Sequence, residues 1–243
     1  MLIEWLLLGL VVLLAGIVRG CTGFGFSALV VAAATLFYAP SMIVPMVIML
    51  EIIASIQMAL ATWRDADWPL LAFLLPGTII TTPLGVQLLV VLPADDVRLV
   101  IAVLIFCLSL LLASGWRFRG RGGPVSYGSV GLFAGLCNGA AAVGGLPVAT
   151  FLTSTDISMR RLRATMVVFL FAIDIAFLAS AAHHGLYNKA LLTRIAAMSL
   201  PMLVGIYLGS HLFRWLDERH LRKAVIGLLM LLSVLGAAKS LTG

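Results

Sequence analysis

The sequence predicts an all-α, multi-pass membrane protein built from two homologous halves. Of its 243 residues, 62% are hydrophobic and only 11% are charged, and the mean hydropathy is +1.15. A soluble domain carries about 25% charged residues, so this chain has too few charges to cover a surface that faces water. Its apolar runs reach the length of about 20 residues that a helix needs to cross a bilayer. The composition therefore excludes a soluble enzyme, a secreted disulfide domain and a disordered tail.

The net charge of +6 does not indicate nucleic-acid binding, because the basic residues lie in short clusters between apolar runs. Cytoplasmic loops of membrane proteins concentrate Lys and Arg in this way. Cys21, Cys107 and Cys137 lie inside apolar segments and lack the spacing of a metal site or a disulfide framework. We therefore expect no metal, no cofactor and no nucleic-acid partner. The N-terminus lacks the basic start and the small-residue cleavage site of a signal peptide, so we expect no removable leader.

The first half, residues 1–116, opens with an apolar stretch over 2–40 that is too long for one straight crossing. A helix over 2–38 would extend about 55 Å at 1.5 Å per residue. The stretch is interrupted by the segment Arg19-Gly20-Cys21-Thr22-Gly23-Phe24-Gly25, and glycine at this density loosens a helix. Clear spans follow at 41–62, 69–91 and 97–115. We predict a broken, re-entrant helix followed by three transmembrane helices.

A basic, glycine-rich linker over 117–124 leads to the second half, residues 125–243, which repeats this pattern. Its apolar stretch over 125–155 is interrupted at Gly135-Leu136-Cys137-Asn138-Gly139 and again at Gly144-Gly145-Leu146-Pro147. Clear spans follow at 164–182, 195–213 and 221–238. We again predict one broken helix and three full crossings.

Matching landmarks in the two halves indicate a duplication. The segment Ala15–Gly20 resembles Ala134–Gly139, Leu84-Gly85 resembles Leu208-Gly209, and Pro76 corresponds to Pro201, in the same order and 119 to 125 residues apart. If each broken helix turns back at its glycines, most Lys and Arg residues share one face, which satisfies the positive-inside rule. A single crossing by 2–40 would divide them about evenly. We therefore predict inverted repeats with both termini outside the cytoplasm.

The A-G-x-x-x-G segment that opens each half, the Pro…Leu-Gly pair and the short basic linker resemble the TauE/SafE sulfite exporter family. The resemblance covers nearly the whole chain. It implies a secondary carrier of small sulfur-containing or organic anions such as sulfite, sulfoacetate or sulfonates. The chain departs from a glycine-rich signature at Pro147 and has Arg19 and Asn138 at paired positions. The resemblance therefore does not identify the substrate.

The breaks are the predicted anion-binding site. Irregular backbone survives at membrane depth only where protein or a water-filled cavity satisfies it. A half-helix N-terminus presents N–H groups to an anion, and we expect such ends near Phe24 and Leu146. The candidate ligands are Arg19, Gly20, Thr22, Gly23, Gly25 and Ser27, with Asn138, Gly139, Gly144 and Gly145 in the second half. Alternatively, the glycines only permit close helix packing and Arg19 extends to the membrane interface.

Glu51 and Asp174 lie near the centres of the equivalent spans 41–62 and 164–182. Carboxyl groups in the membrane interior are costly, and they can bind and release protons near neutral pH. We predict that they couple transport to protons. The alternative is structural, with Glu51 neutralising Arg19 and Asp174 bonded to a backbone group or a hydroxyl.

The leading hypothesis is a secondary transporter that moves small anions across the inner membrane by alternating access. The sequence has no G-x-x-x-x-G-K-[ST] nucleotide fingerprint and no soluble domain that could hold one. The expected partners are a small anionic substrate and the lipid bilayer. Formation of a homo-oligomer is a further possibility that the sequence leaves open. The alternatives are a thiol-dependent sulfur relay through Cys21 and Cys137, or a structural subunit of a membrane complex.

Overall fold

The computed structural model describes residues 2–114, 123–155, 157–212 and 218–242, and no strand occurs among them. In chain order the helices are α1 Leu2–Thr22, α2 Phe26–Ala34, α3 Pro40–Thr62, α4 Trp68–Val91, α5 Ala94–Ala113, α6 Pro124–Ala141, α7 Gly145–Thr153, α8 Met159–His183, α9 Lys189–Leu212 and α10 Glu218–Thr242. By length and composition, seven of them could cross a membrane: α1, α3, α4, α5, α8, α9 and α10. Each predicted half thus has a long helix, a short helix and three further long helices, which confirms the all-α membrane fold.

Polar caps start three of the long helices earlier than the hydropathy of the sequence indicated. The Asp67 side chain accepts a bond from the first turn of α4, and Ser158 does so for α8. Asn188 Oδ1 accepts the backbone N–H of Leu191 at 2.8 Å at the start of α9. Such side chains satisfy backbone donors that a helix start leaves without an intrahelical partner. The helices α4, α8 and α9 therefore begin at 68, 159 and 189, before the predicted starts of their spans at 69, 164 and 195.

The helix breaks are shorter than predicted: the first occupies the end of the predicted segment 19–25, and the second lies between the two predicted interruptions of the second half and meets the later one at Gly144. In the first half, α1 runs unbroken through Arg19 and Gly20, and the chain turns at Gly23 and Gly25, whose φ angles are 84° and 88°. In the second half, α6 continues through Gly135 to Gly139, where a break was predicted, and the turn falls at 142–144. The prediction that Gly135–Gly139 interrupts the helix was therefore wrong. Helix packing, described next, compensates for the weak helix propensity of these glycines.

Close helix contact is the structural role of the A-G-x-x-x-G segments. Gly16 and Gly20 on α1 face Gly205 and Gly209 on α9, and a Cβ at Gly20 would lie 2.9 Å from the backbone nitrogen of Ser210. Gly135 and Gly139 on α6 face the backbone of α4 in the same way. Small residues at this spacing let helices in membranes approach backbone to backbone. Each segment therefore fixes its helix against the third long helix of the other half.

We expect Gly139→Ala to destabilise the protein, because the added Cβ would meet the backbone of α4 at Thr82 and Gly85. Overpacking of this kind costs about 1–3 kcal/mol. The matched control is Gly128→Ala on the same helix, where a Cβ would meet nothing within 4 Å. Thermal unfolding in detergent should show a lower midpoint for Gly139→Ala and an equal or higher one for Gly128→Ala. Equal midpoints for both variants would contradict close packing at Gly139.

The first broken element forms a hairpin that starts and finishes at one end of the molecule. At this end, which we call the Trp5 end, Trp5 of α1, Met42 of α3 and Arg194 of α9 line one small cavity. At the opposite end, Arg163 in the first turns of α8 donates from Nη2 to the Gly20 carbonyl at 2.7 Å; we call this the Arg163 end. The chain therefore runs along α1 to the Arg163 end and has returned by the start of α3.

The second hairpin runs from the opposite end. Asp67 before α4 pairs with Arg161 of α8 at 3.3 Å, so α4 starts at the Arg163 end. Gly77 of α4 faces Gly128 of α6, and Gly85 faces residues further along α6, so the two helices run in the same direction. The hairpin of α6 and α7 thus starts and finishes at the Arg163 end. Opposite directions are what inverted repeats would produce, and the exact relation of the halves stays a prediction.

The predicted linker over 117–124 falls largely on residues 115–122, which lie outside the described residues. The flanking helices α5 and α6 end at Ala113 and begin at Pro124. The basic residues at 117, 119, 121 and 214 also lie outside them. The division into 1–116 and 125–243, and the cytoplasmic orientation of the Arg163 end, therefore stay predictions.

Candidate functional site

A buried ion pair joins the first break to the long helix that follows it. Arg19, near the end of α1, donates from Nη1 to Glu51 Oε1 of α3 at 2.7 Å. Its Nη2 donates to the Ser55 hydroxyl, one turn further along α3, also at 2.7 Å. All three residues are fully buried, with 0% of their surface exposed. Because removing charges from water is costly, this pair depends on its mutual attraction and on these hydrogen bonds.

The second half repeats this contact with a neutral donor. Asn138, near the end of α6, donates from Nδ2 to Asp174 Oδ1 of α8 at 3.2 Å, and both residues are fully buried. By position in the halves, α6 corresponds to α1 and α8 to α3. The two predicted halves would therefore each place a donor beside their break and a carboxyl group on the next long helix. Only the first half supplies a cation.

These four residues, Arg19, Glu51, Asn138 and Asp174, form what we call the central cluster. Asp174 lies close enough to Glu51 and Arg19 for their charges to act on it. Among the described residues, Arg19 Nε, Glu51 Oε2, Asn138 Oδ1 and Asp174 Oδ2 are buried atoms without a hydrogen-bond partner. Native proteins leave few buried polar atoms in this state. Four such atoms in one cluster make it unusually polar for the interior of a membrane protein.

The N-terminus of α2 meets the Glu51 carboxyl group. Ser27, in the first turn of α2, lies beside Glu51. The residue before the helix is Gly25, which has no side chain to cap it. A helix N-terminus favours an anion because its N–H groups and its dipole point toward one. Glu51 therefore lies where the sequence predicted that a substrate anion would bind.

The other candidate residues of the first break shape the turn. The Thr22 hydroxyl lies 2.9 Å from the carbonyl oxygen of Val18 and 2.8 Å from that of Phe24. Gly23 lies against Arg163, and a Cβ there would be 2.7 Å from the Arg163 side chain. Positive φ angles at Gly23 and Gly25 are conformations that L side chains rarely adopt. A ligand role for these residues, as for Gly20 against α9, stays a prediction.

The glycines of the second half divide in a similar way. Gly144 lies against Asn138, where a Cβ would approach the Asn138 Cβ to 2.6 Å, and Gly145 lies against Leu170 of α8. Gly139 contacts α4, on the helix interface described above. The N-terminus of α7 has no side-chain cap, and Pro147 falls in its first turn, where a missing N–H removes no helical bond. The structure thus brings Asn138, Gly144 and Asp174 together at this break.

Comparison with known proteins agrees with this architecture. The family model for sulfite exporter TauE/SafE matches residues 8–235. The chain belongs to the TauE/SafE family. It is therefore a multi-pass integral membrane protein of a transporter family, as the resemblance in its sequence predicted. No curated protein and no solved structure matched the chain.

In this TauE/SafE protein, the central cluster lies closed between cavities at the two ends. A cavity of about 630 Å³ opens at the Arg163 end, with Gln57, Arg163 and Ser210 among its lining residues. A second cavity of about 390 Å³ at the Trp5 end is lined partly by Asn188 and Arg194. No member of the central cluster lines either cavity. All four residues of the cluster are fully buried.

Three residues of this TauE/SafE protein were missed by the sequence analysis. Ser55 lies four residues after Glu51, so helical spacing could have placed it on the same face. Arg163 lies far from the breaks in sequence and offered no signal. Tyr187, in the loop between α8 and α9, has a buried hydroxyl, and burial followed by the charge of Asp174 raises the pKa of its phenol. Tyr187 therefore stays protonated at neutral pH and extends the polar surroundings of Asp174.

Cys21 and Cys137, the thiols that a sulfur relay would need, are buried away from water. Cys21 is 1% exposed, and its Sγ donates to the Gly209 carbonyl at 3.2 Å, while Cys137 is 2% exposed. In the described part of the chain, no three His, Cys, Asp or Glu side chains are grouped so that they could hold a metal ion. Within the described residues, both cysteines are free thiols.

Proposed function

We propose that this TauE/SafE protein is a proton-coupled carrier of small anions, with sulfite and organic sulfonates as the leading substrates. The observation that carries the proposal is the fully buried Arg19 beside the helix break. An ionised residue inside a membrane is costly and generally marks a transport pathway. Its planar guanidinium matches the oxygens of a sulfite or sulfonate group in a bidentate manner.

Glu51 and the substrate would compete for one position. The Glu51 carboxylate contacts Arg19 and lies beside Ser27 at the start of α2, the two positive features of the break. A proton on Glu51 would remove its charge and weaken the ion pair. An anion could then take its place at Arg19 Nη1 and at the α2 N-terminus. Proton and anion would bind together, so that the closed site does not gain an uncompensated negative charge.

Asp174 would act as a second proton-binding group. Its hydrogen-bond donor is the neutral amide of Asn138, and the nearby charges are those of Arg19 and Glu51, with the Tyr187 phenol also close by. The cluster holds one cation, Arg19, and two carboxyl groups, Glu51 and Asp174. If both are ionised, a substrate anion adds a third negative charge beside a single positive one. A proton on Asp174 would relieve this excess.

The two hairpins would supply the moving parts. The first hairpin lies against α9 and the second against α4. Each turns near the cluster, the first at Gly23 and Gly25 and the second at the left-handed backbone of Ala142. Transporters with repeated halves alternate access by moving one set of elements against the other around a central site. The cavities at the two ends would be the aqueous approaches to that site.

The test of this function is flux through the purified protein in proteoliposomes. Sulfite, sulfoacetate and acetate are compared with and without an imposed pH gradient. We expect at least one sulfur anion to move faster than acetate and to accumulate when the gradient is applied. Transport by the purified chain would also contradict the alternative of a purely structural subunit. If folded, monodisperse protein moves none of the three anions, the carrier proposal is wrong.

For proton coupling, we expect Glu51→Gln and Asp174→Asn each to lose gradient-driven accumulation of the transported anion. Each change removes a group that binds the proton and keeps the size of the side chain. Glu51→Gln should retain exchange of labelled for unlabelled anion, because Arg19 remains and no longer has a competing carboxylate. The control is Asp96→Asn, an exposed carboxyl group at the start of α5. Accumulation at the wild-type level in both cluster variants would contradict the coupling role.

A further inference from the structure

We propose that the cavity at the Arg163 end is a vestibule that binds small oxyanions, and that Arg163 holds the anion before it passes to Arg19. The inference rests on the proposed transport function and adds a second site to it. Arg163 was not among the residues that the sequence indicated. Three observations carry the proposal: the size and charge of the cavity, the position of Arg163 in it, and the contact of that residue with the first break.

The cavity is large and polar enough for a hydrated anion. Its volume of about 630 Å³ has room for about 20 water molecules at ~30 Å³ each. Its polar lining residues are Gln57, Thr62, Asp65, Arg160, Arg163, Tyr207 and Ser210. Among the described lining residues, two guanidinium groups accompany one carboxylate. A positive cleft with low-dielectric walls concentrates anions from solution.

The two arginines differ in depth and in partner. Arg160 lies at the rim, with 82% of its side chain exposed, and its Nε pairs with Asp65 Oδ2 at 2.8 Å. Arg163 is partly buried, and its Nη2 lies 2.7 Å from the Gly20 carbonyl and 3.4 Å from the Ser210 hydroxyl. These contacts orient its guanidinium at the inner wall of the cavity. Arg163 is therefore the cation placed to receive an anion that has entered.

The inner wall of the cavity adjoins the central cluster along two elements. Gly20, which Arg163 contacts, follows Arg19 directly in α1. Ser55, which accepts a bond from Arg19, lies two residues before Gln57 of the lining on α3. Gly23 packs on the Arg163 side chain, so a movement of the break at Gly23 would change that contact. The break thus separates Arg163 from Arg19 and could open between them.

The vestibule is tested by sulfite uptake into inside-out and right-side-out membrane vesicles, with vesicles from cells lacking the protein as background. We expect Arg163→Gln to raise the KM for sulfite presented at the Arg163 end about tenfold, as loss of one charge-assisted contact predicts. The KM at the Trp5 end should stay at its wild-type value, because the change removes binding in the vestibule alone. Arg163→Lys keeps the charge and should recover part of the affinity.

The matched control is Arg161→Gln, which removes the same charge two residues away. Arg161 pairs with Asp67 and does not line the cavity. A second variant, Gln57→Glu, places a negative charge on an exposed lining residue and should raise the same KM even if Arg163→Gln does not fold. The anion used is the one that wild-type protein moves in proteoliposomes, and wild-type protein that moves none of sulfite, sulfoacetate and acetate would refute the transport function itself. Wild-type flux with an unchanged KM in Gln57→Glu and in folded Arg163→Gln would refute the vestibule alone, as expected if the cavity binds a lipid phosphate instead.

Discussion

Arg19→Gln is expected to abolish anion transport while the protein remains folded, though less stable. The substitution removes the buried cation of the central cluster and leaves an amide that can still donate to Glu51 or Ser55. Loss of ~3 kcal/mol of charge-assisted bonding to the substrate corresponds to about a 100-fold loss of flux. The measurement is uptake of labelled sulfite into proteoliposomes that contain equal amounts of monodisperse wild-type or variant protein.

Arg64→Gln is the control for this experiment, because it removes an exposed cation between α3 and α4 without changing the central cluster. We expect the control to transport at the wild-type rate. Arg19→Gln protein that transports as well as the control would show that Arg19 serves only as the structural partner of Glu51. The anion would then have to bind elsewhere.

The second large effect is expected in stability. Arg19→Gln or Glu51→Gln alone leaves one buried charge without its partner, which costs about 3–5 kcal/mol. The double variant removes both charges and creates an amide pair that resembles the neutral donor of the second half. We expect it to recover most of the stability that either single variant loses. Thermal unfolding in detergent, followed by tryptophan fluorescence, measures the four proteins of this cycle.

A parallel cycle on Arg161 and Asp67 supplies the comparison. That pair is 3.3 Å apart, and the Arg161 side chain is 54% exposed. Ion pairs exposed to solvent contribute about 0–1 kcal/mol, so this cycle should show little coupling. If the losses from Arg19→Gln and Glu51→Gln simply add in the double variant, the two charges do not depend on each other. Protonation of Glu51 would then not release Arg19 for an anion in the way that we propose.

Together the two experiments separate substrate binding from structure. Restoring stability without transport in the double variant is the outcome that the proposal requires, because the amide pair is stable but has no cation for the anion. Restoring both would mean that the charge of Arg19 is dispensable for transport. The first outcome, with the exchange activity expected of Glu51→Gln, would assign the proton to Glu51 and the anion to Arg19.

The sequence determined the membrane fold and the residues of the central cluster. A chain with 11% charged residues must place its apolar surface in lipid, and a bilayer fixes the length of each crossing. Arg19, Glu51, Asn138 and Asp174 were recognisable one by one because polar groups inside apolar runs are costly and therefore rare. Their matching positions in the two halves indicated that they belong to equivalent sites.

Tertiary structure alone decided which residues meet and what the glycines do. The A-G-x-x-x-G segments remain helical because the first packs on α9 and the second on α4. The chain turns after these segments, at Gly23 and Gly25 and at 142–144. The spacing of side chains along one helix does not show which other helix packs against it. The contact between Arg163 of α8 and Gly20 of α1 could therefore not be predicted from the sequence. Partner choice in a membrane bundle depends on backbone packing between helices distant in sequence, and that packing placed Glu51 at the start of α2 beside Arg19.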